Sequence, residues 1–199
     1  KALRDGTLSV ADWIAALSLE GRVFTANAGS ATTPITFGAG GLDTTEFDLH
    51  VAVPSSVVII PLELNVAFEA FVTALLCETC LISGSGSTAG AGTAVTPQSS
   101  NVSAGRTSAC TITSASTATS GVYVTTNVKE IYRYTEQIAI TIATVGQIRV
   151  PAMRQWRALD SGILDIVGPS QQLAVFAAAQ AGTGFISLKY AELPVAAVS

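Results

Sequence analysis

The sequence predicts an all-β protein, a sandwich or jelly roll of antiparallel strands preceded by one amphipathic helix. Three observations carry that expectation. After Gly21 the apolar residues recur at every second position, the period of a half-buried strand. Turn residues separate many such runs, and only the N-terminal segment follows a helical period. No unit recurs at a fixed spacing, which removes propellers and solenoids.

The helix is read from "GTLSVADWIAALSLEGRVF", residues 6–24. Ser9 can cap its first turn, Asp12 suits the positive N-terminal end, and Gly21 supplies a left-handed stop. Val10, Trp13, Ile14 and Leu17 fall at i, i+3, i+4 and i+7 and form an apolar stripe. Such a stripe needs a cover, either the chain's own β core or a neighbouring subunit, and these residues are the candidate subunit-interface positions. The expected organisation is an arm and helix over 1–21, a single β domain over 22–194 and a tail over 195–199.

The first strands are read from "EFDLHVAVP" and "VVIIPLELNVAFE". Phe47, Leu49, Val51 and Val53 share one face, with Glu46, Asp48 and His50 opposite. Val58, Ile60, Leu62, Leu64, Val66 and Phe68 share another, against Pro61, Glu63, Asn65 and Glu69, so both strands should be apolar inward and polar outward. Pro61 lacks a backbone donor and belongs at an edge, a strand start or a bulge. The alternation loses phase near "FEAF" before a third run, "FVTALLCETCLIS". Later strands are read from "SACTIT", "GVYVTT", "KEIYRYTEQIAITIATV" with Ile138, Ile140 and Ile142, "QIRVP", "LDIV", "QLAVFAAA" and "FISLKYAEL". In the last, Ile186, Leu188 and Tyr190 point inward and Pro194 ends the ladder. Residues 83–108, rich in Gly, Ser and Ala, are expected to form a long surface loop.

Of the 199 residues only 12% are charged, about half the usual share of roughly 25%, while mean hydropathy is +0.49. The surface is therefore built from Ser, Thr, Ala and Gly, a composition that suits extensive subunit contact because interface centres are poor in charge. A net charge of −4 without a basic tail argues against a phosphate-binding surface. The local basic-aromatic cluster, Arg149, Arg154, Trp156 and Arg157 in "RVPAMRQWR", reads as a solvated turn. Residues 51–77 are apolar but contain Pro54, Pro61, Glu63, Asn65 and Glu69, and fail as a membrane span. The opening residues do not read as a signal peptide.

Chemistry finds no foothold. Three cysteines, Cys77, Cys80 and Cys110, are an odd count for a disulfide framework. On a strand Cys77 and Cys80 point to opposite faces, about 10 Å apart and too far to bond, and a zinc site would need a fourth ligand, for which His50 is the one histidine, so buried structural thiols are expected. Asp48 and His50 share a face, but no G-x-S-x-G supplies a nucleophile, so a wet or intersubunit polar face is expected. "GSGSTA", residues 84–89, mimics a dinucleotide fingerprint without a following helix. Asn101, Val102 and Ser103 form a glycosylation triplet that matters only in a secretory compartment. Glu63 with Glu69, and Asp160 with Asp165, are read as solvated carboxylates. No catalytic, cofactor-binding or metal residue is assigned, and no enzyme activity is expected.

"VPSSVVIIPLELNVAFEAF", preceded by "EFDLHVA", resembles a hairpin of single jelly-roll virion proteins, in which a Val-Pro turn leads into a strand containing Ile-Ile-Pro-Leu. The closing "FISLKYAELP" is similar to the last strand of such proteins in bacteriophages and related viruses. The resemblance spans residues 42–194 and implies a jelly-roll domain. It further implies a virion structural protein, a capsid subunit or decoration protein, assembled in the host cytoplasm. Its partners would be copies of itself, in trimers, pentamers or a larger shell, and other virion proteins, without membrane or direct nucleic-acid contact. The acidic balance favours an outer position or a neutral genome-facing side. The alternatives are a trimeric receptor-binding or ligand head, similar to fibre-head or tumour-necrosis-factor-like domains, and a carbohydrate-binding jelly-roll module.

Overall fold

The computed structural model describes residues 13–37, 46–70, 76–86, 88–117, 126–137, 153–178 and 182–198. A helix α1 (Trp13–Leu19) leads into strands β1 (Val23–Ala28), β2 (Ile35–Thr36), β3 (Glu46–Ala52), β4 (Val57–Ala70) and β5 (Leu76–Ser85). Three short strands follow, β6 (Thr93–Val95), β7 (Gln98–Ser99) and β8 (Thr111–Thr117). The chain continues through β9 (Thr126–Gln137), β10 (Met153–Arg157), a helical turn α2 (Ala158–Ser161), β11 (Gln172–Ala178) and β12 (Thr183–Pro194). Ser9, Val10, Asp12, the "QIRVP" run, Ile138, Ile140 and Ile142 lie outside the described residues, as does most of "GVYVTT".

These strands form two antiparallel sheets. The first has the order β10-β4-β12-β1-β7, with β2 also paired to β12, and the second has the order β6-β8-β3-β11-β5-β9. Phe24, Leu64, Val66, Ile186, Leu188 and Tyr190 of the first sheet meet Leu49, Val51, Leu81, Leu173 and Val175 of the second in one buried core. Each large apolar side chain taken fully out of water contributes about 1.5–3 kcal/mol, so this inter-sheet layer dominates the stability. The expected inward residues of β12 are all in it, and Leu188 and Tyr190 are fully buried.

The single apolar face expected over Val58–Phe68 is corrected by a bulge. Lys189 pairs with Glu63 but Tyr190 pairs with Pro61, so Leu62 is an extra residue in β4. Proline cannot donate to a ladder, which makes this the natural place for the register to slip. Leu64, Val66 and Phe68 enter the core, whereas Ile60 and Leu62 join Val23 and Ala191 in a separate cluster beneath α1. The helix stops where expected: Gly21 has φ +71, its N–H bonds Ser18 O, and Arg22 N–H bonds Leu17 O, the two bonds of a Schellman end.

A second correction concerns β3. Phe47 packs with Cys80, Ile82, Ala174 and Phe176 rather than with Leu49 and Val51, and its ring lies 4.8 Å from that of His50. The alternation breaks between the Phe47–Ser116 and Leu49–Ser114 pairs, beside Ala115 at φ +48. There Asp48 accepts the Ala177 N–H at 2.6 Å. The expected wet face is therefore wrong, since Asp48 and His50 are 3% and 2% exposed.

Two further readings change. "MRQWR" is not a solvated turn but the strand β10, paired with β4 from Glu63 to Ala67, and Arg154 in it is buried. "LDIV" forms no strand beyond the isolated bridge of Val167 to Ile59. Residues 83–108 are also more ordered than a bare loop: β6 pairs with β8, β7 with β1, and Asn101 caps a 3-10 turn over Val102–Ala104.

Candidate functional site

The sandwich has two lateral edges and an outer face on each sheet, and these are where a partner or ligand can reach it. At one edge β9 and β10 each have a single neighbouring strand among the described residues. Arg154 of β10 pairs with Glu136 of β9 and stacks over the Tyr134 ring at 4.5 Å, while Trp156 and Tyr132 approach at 6.4 Å. These contacts join the two sheets along their rim. Lys129 of β9 pairs with Asp165 and draws in the turn that follows α2.

α2 and that turn expose what a folded chain usually hides. Leu159, Ile163, Leu164 and Ile166 are 57%, 68%, 37% and 54% exposed, and Val128 on β9 is 47% exposed. Single exposed aliphatics need no explanation, whereas these four stand together within residues 159–166. Sequence reading missed these residues because it assigned "LDIV" to a strand. Gly162, Gly168 and Pro169, which punctuate the stretch, were the available signal for an exposed turn.

The stripe picked out from sequence sits elsewhere. Trp13, Ile14 and Leu17 pack on Val23, Ile60, Leu62 and Ala191 of the chain's own first sheet, each half-buried; Val10 lies outside the described residues.

The opposite edge is closed by residues 88–117. Ser108 donates to Glu192 Oε2 at 2.7 Å and accepts from Tyr190 Oη at 2.7 Å and from Cys110 N–H at 3.1 Å, and Ala109 N–H donates to the same Glu192 oxygen at 3.0 Å. The segment also satisfies carbonyls that the end of α1 leaves free. Asn101 Nδ2 donates to Leu19 O at 2.9 Å, Arg106 to Glu20 O at 3.4 Å and Ser99 to Gly21 O at 3.3 Å. The Asn101 amide, the possible glycan acceptor, is thus already engaged.

The outer face of the first sheet carries two polar rows across adjacent strands. Asn27, Ser187, Asn65 and Gln155 lie directly opposite one another, as do Thr25, Lys189, Glu63 and Arg157. The Asn65 amide bonds Glu63 at 2.6 Å and, with Lys189 and Arg157 nearby, holds that carboxyl below its usual pKa. A cavity of about 400 Å3 opens beside the first row, lined by Asn27, Ser30, Asn65, Phe185 and Ser187, and a neighbouring one of about 500 Å3 lies across the 29–34 turn.

The buried chemistry is quiet. Cys77, Cys80 and Cys110 are free buried thiols, and burial pushes Cys80 and Cys110 up to about 12. Cys77 lies in the inter-sheet core and Cys80 on the other side of β5, as strand geometry requires. Burial lowers His50 to about 4, and its Nε2 has no hydrogen-bond partner among the described residues. Among the described residues no cluster of His, Cys, Asp and Glu could hold a metal, and no helix is long and apolar enough to cross a membrane. Comparison with protein-family models, with curated proteins and with solved structures gives no match.

Proposed function

We propose that the sandwich is a jelly roll and that the protein is a non-enzymatic virion structural protein, a capsid subunit or decoration protein built from side-by-side copies of itself. The pairing pattern supports the fold. With β2 and β6–β8 set aside, eight strands form four nested antiparallel pairs, β1 with β12, β3 with β11, β4 with β10 and β5 with β9. Added β4–β12 and β11–β5 pairings roll that long hairpin into two sheets.

The observation that carries self-assembly is the β9–β10 edge with its exposed Leu159, Ile163, Leu164 and Ile166, in a chain only 12% charged. An apolar patch on a surface poor in charge suits contact between subunits. The acidic net charge suits an outer position in a virion assembled in the host cytoplasm. Electron microscopy of the purified chain tests this: closed shells, or coating of particles, are expected. Discrete trimers that never enlarge would favour the receptor-binding head instead.

A further inference from the structure

We propose that the cavity on the outer face of the first sheet is a binding site for a neutral saccharide. The proposal stands independently of the virion reading, because it uses a different face of the molecule.

The site is built by register. Asn27, Ser187 and Asn65 stand side by side on β1, β12 and β4; Asn27 and Ser187 offer donors and acceptors to a ligand, while Asn65 already gives one N–H to Glu63. With Gln155 of β10 next in line, the row crosses three inter-strand gaps of about 4.8 Å, roughly 14 Å in all. Phe185, one step along β12, lines the same cavity, and Ser30 closes its rim from the turn after β1. The ring position depends on Gly29, where φ is +95 and an added Cβ would come 2.8 Å from Phe185 Cδ1.

The lining selects the ligand class. Among the described lining residues there is no ionisable side chain, so neither a phosphate nor a metal ion finds a counter-charge. The nearest charges, Lys189, Glu63 and Arg157, belong to the next row, where Glu63 is paired with both cations and accepts from Asn65. Amide and hydroxyl groups make a poor bed for a purely apolar molecule. A polyhydroxylated ring matches both halves of the site, giving hydroxyls to the Asn and Ser groups and an apolar C–H face to Phe185. The volume of about 400 Å3 is within the range of small-molecule sites, and the adjoining cavity of about 500 Å3, also lined by neutral groups such as Thr33, Thr93, Thr96 and Ser114, could take a second residue.

The test is a glycan array probed with the whole protein, followed by calorimetric titration of the strongest neutral oligosaccharide into wild type, Asn27→Ala, Phe185→Ala and Thr113→Ala. Asn27 is exposed on the strand face, so its truncation should leave the melting temperature unchanged. The expected result is binding of neutral glycans, weakened about tenfold by Asn27→Ala and by Phe185→Ala and unaffected by the control on the other sheet. No binding to neutral glycans, preference for sialylated or sulfated ones, or equal affinity in Asn27→Ala would each overturn the proposal.

Discussion

The two lateral edges of the sandwich solve the same problem in opposite ways. Edge strands present unpaired backbone groups that a fold has to manage. At the β6–β7 edge the chain covers itself: an insertion adds short strands to both sheets and locks them through half-buried Ser108 and buried Tyr190 and Glu192. At the β9–β10 edge the described residues add ion pairs and ring contacts and then expose four large aliphatic side chains on α2 and the turn after it. Among the described residues one edge is sealed by the chain itself and the other leaves apolar side chains exposed, the contrast on which the proposed self-assembly rests.

The largest effect should come from breaking the sealed edge. Glu192→Ala leaves the Ser108 hydroxyl and the Ala109 N–H without their shared acceptor, at a cost of about 3 kcal/mol for the two charge-assisted bonds. Chemical denaturation would read this directly. A loss below about 1 kcal/mol would mean that the insertion is held by something other than this network.

Between the edges, His50 on the second sheet provides a control that belongs to neither. Its pKa is about 4 in the fold against 6.5 for the free side chain, so between those values the unfolded chain binds a proton that the native chain does not. Stability should therefore fall as pH drops through this window, by about 3 kcal/mol at its lower end. His50→Leu should flatten that slope without touching either edge, as pH-dependent denaturation would show.

The open edge should respond less. Arg154→Ala removes a buried partner of Glu136 and the contact over Tyr134, at about 2 kcal/mol because Glu136 is partly solvated. Calorimetry of the variant would place it. Smallest of all, Ile163→Ser should change the stability of the isolated chain by no more than about 0.5 kcal/mol, since the side chain is 68% exposed. A much larger loss would show that the turn packs onto its own sandwich.

Legibility of the sequence followed the physics of alternation. β12 was readable because Ile186, Leu188 and Tyr190 keep strict phase with polar neighbours. β4 was readable as a strand but not as a surface, because the bulge at Leu62 turns Ile60 and Leu62 away from the core and nothing local announces how many residues are skipped. β10 was missed because its arginines outweighed its period, and the burial of Arg154 depends on Glu136 arriving from β9. The helix stripe was legible, but sequence left two covers open, the chain's own core and a neighbouring subunit. Trp13, Ile14 and Leu17 are half-buried on the chain's own sheet, while the exposed apolar turn lies at the far side of β10. Non-local pairing decides both outcomes, and no window of sequence contains it.

The most direct measurement is light scattering of the purified chain at micromolar concentration beside an Ile163→Asp, Ile166→Asp double variant. Assembly through the β9–β10 edge predicts a wild type several times the monomer mass of 20.3 kDa and a folded variant that is monomeric. A monomeric wild type, or a variant that assembles unchanged, would contradict it.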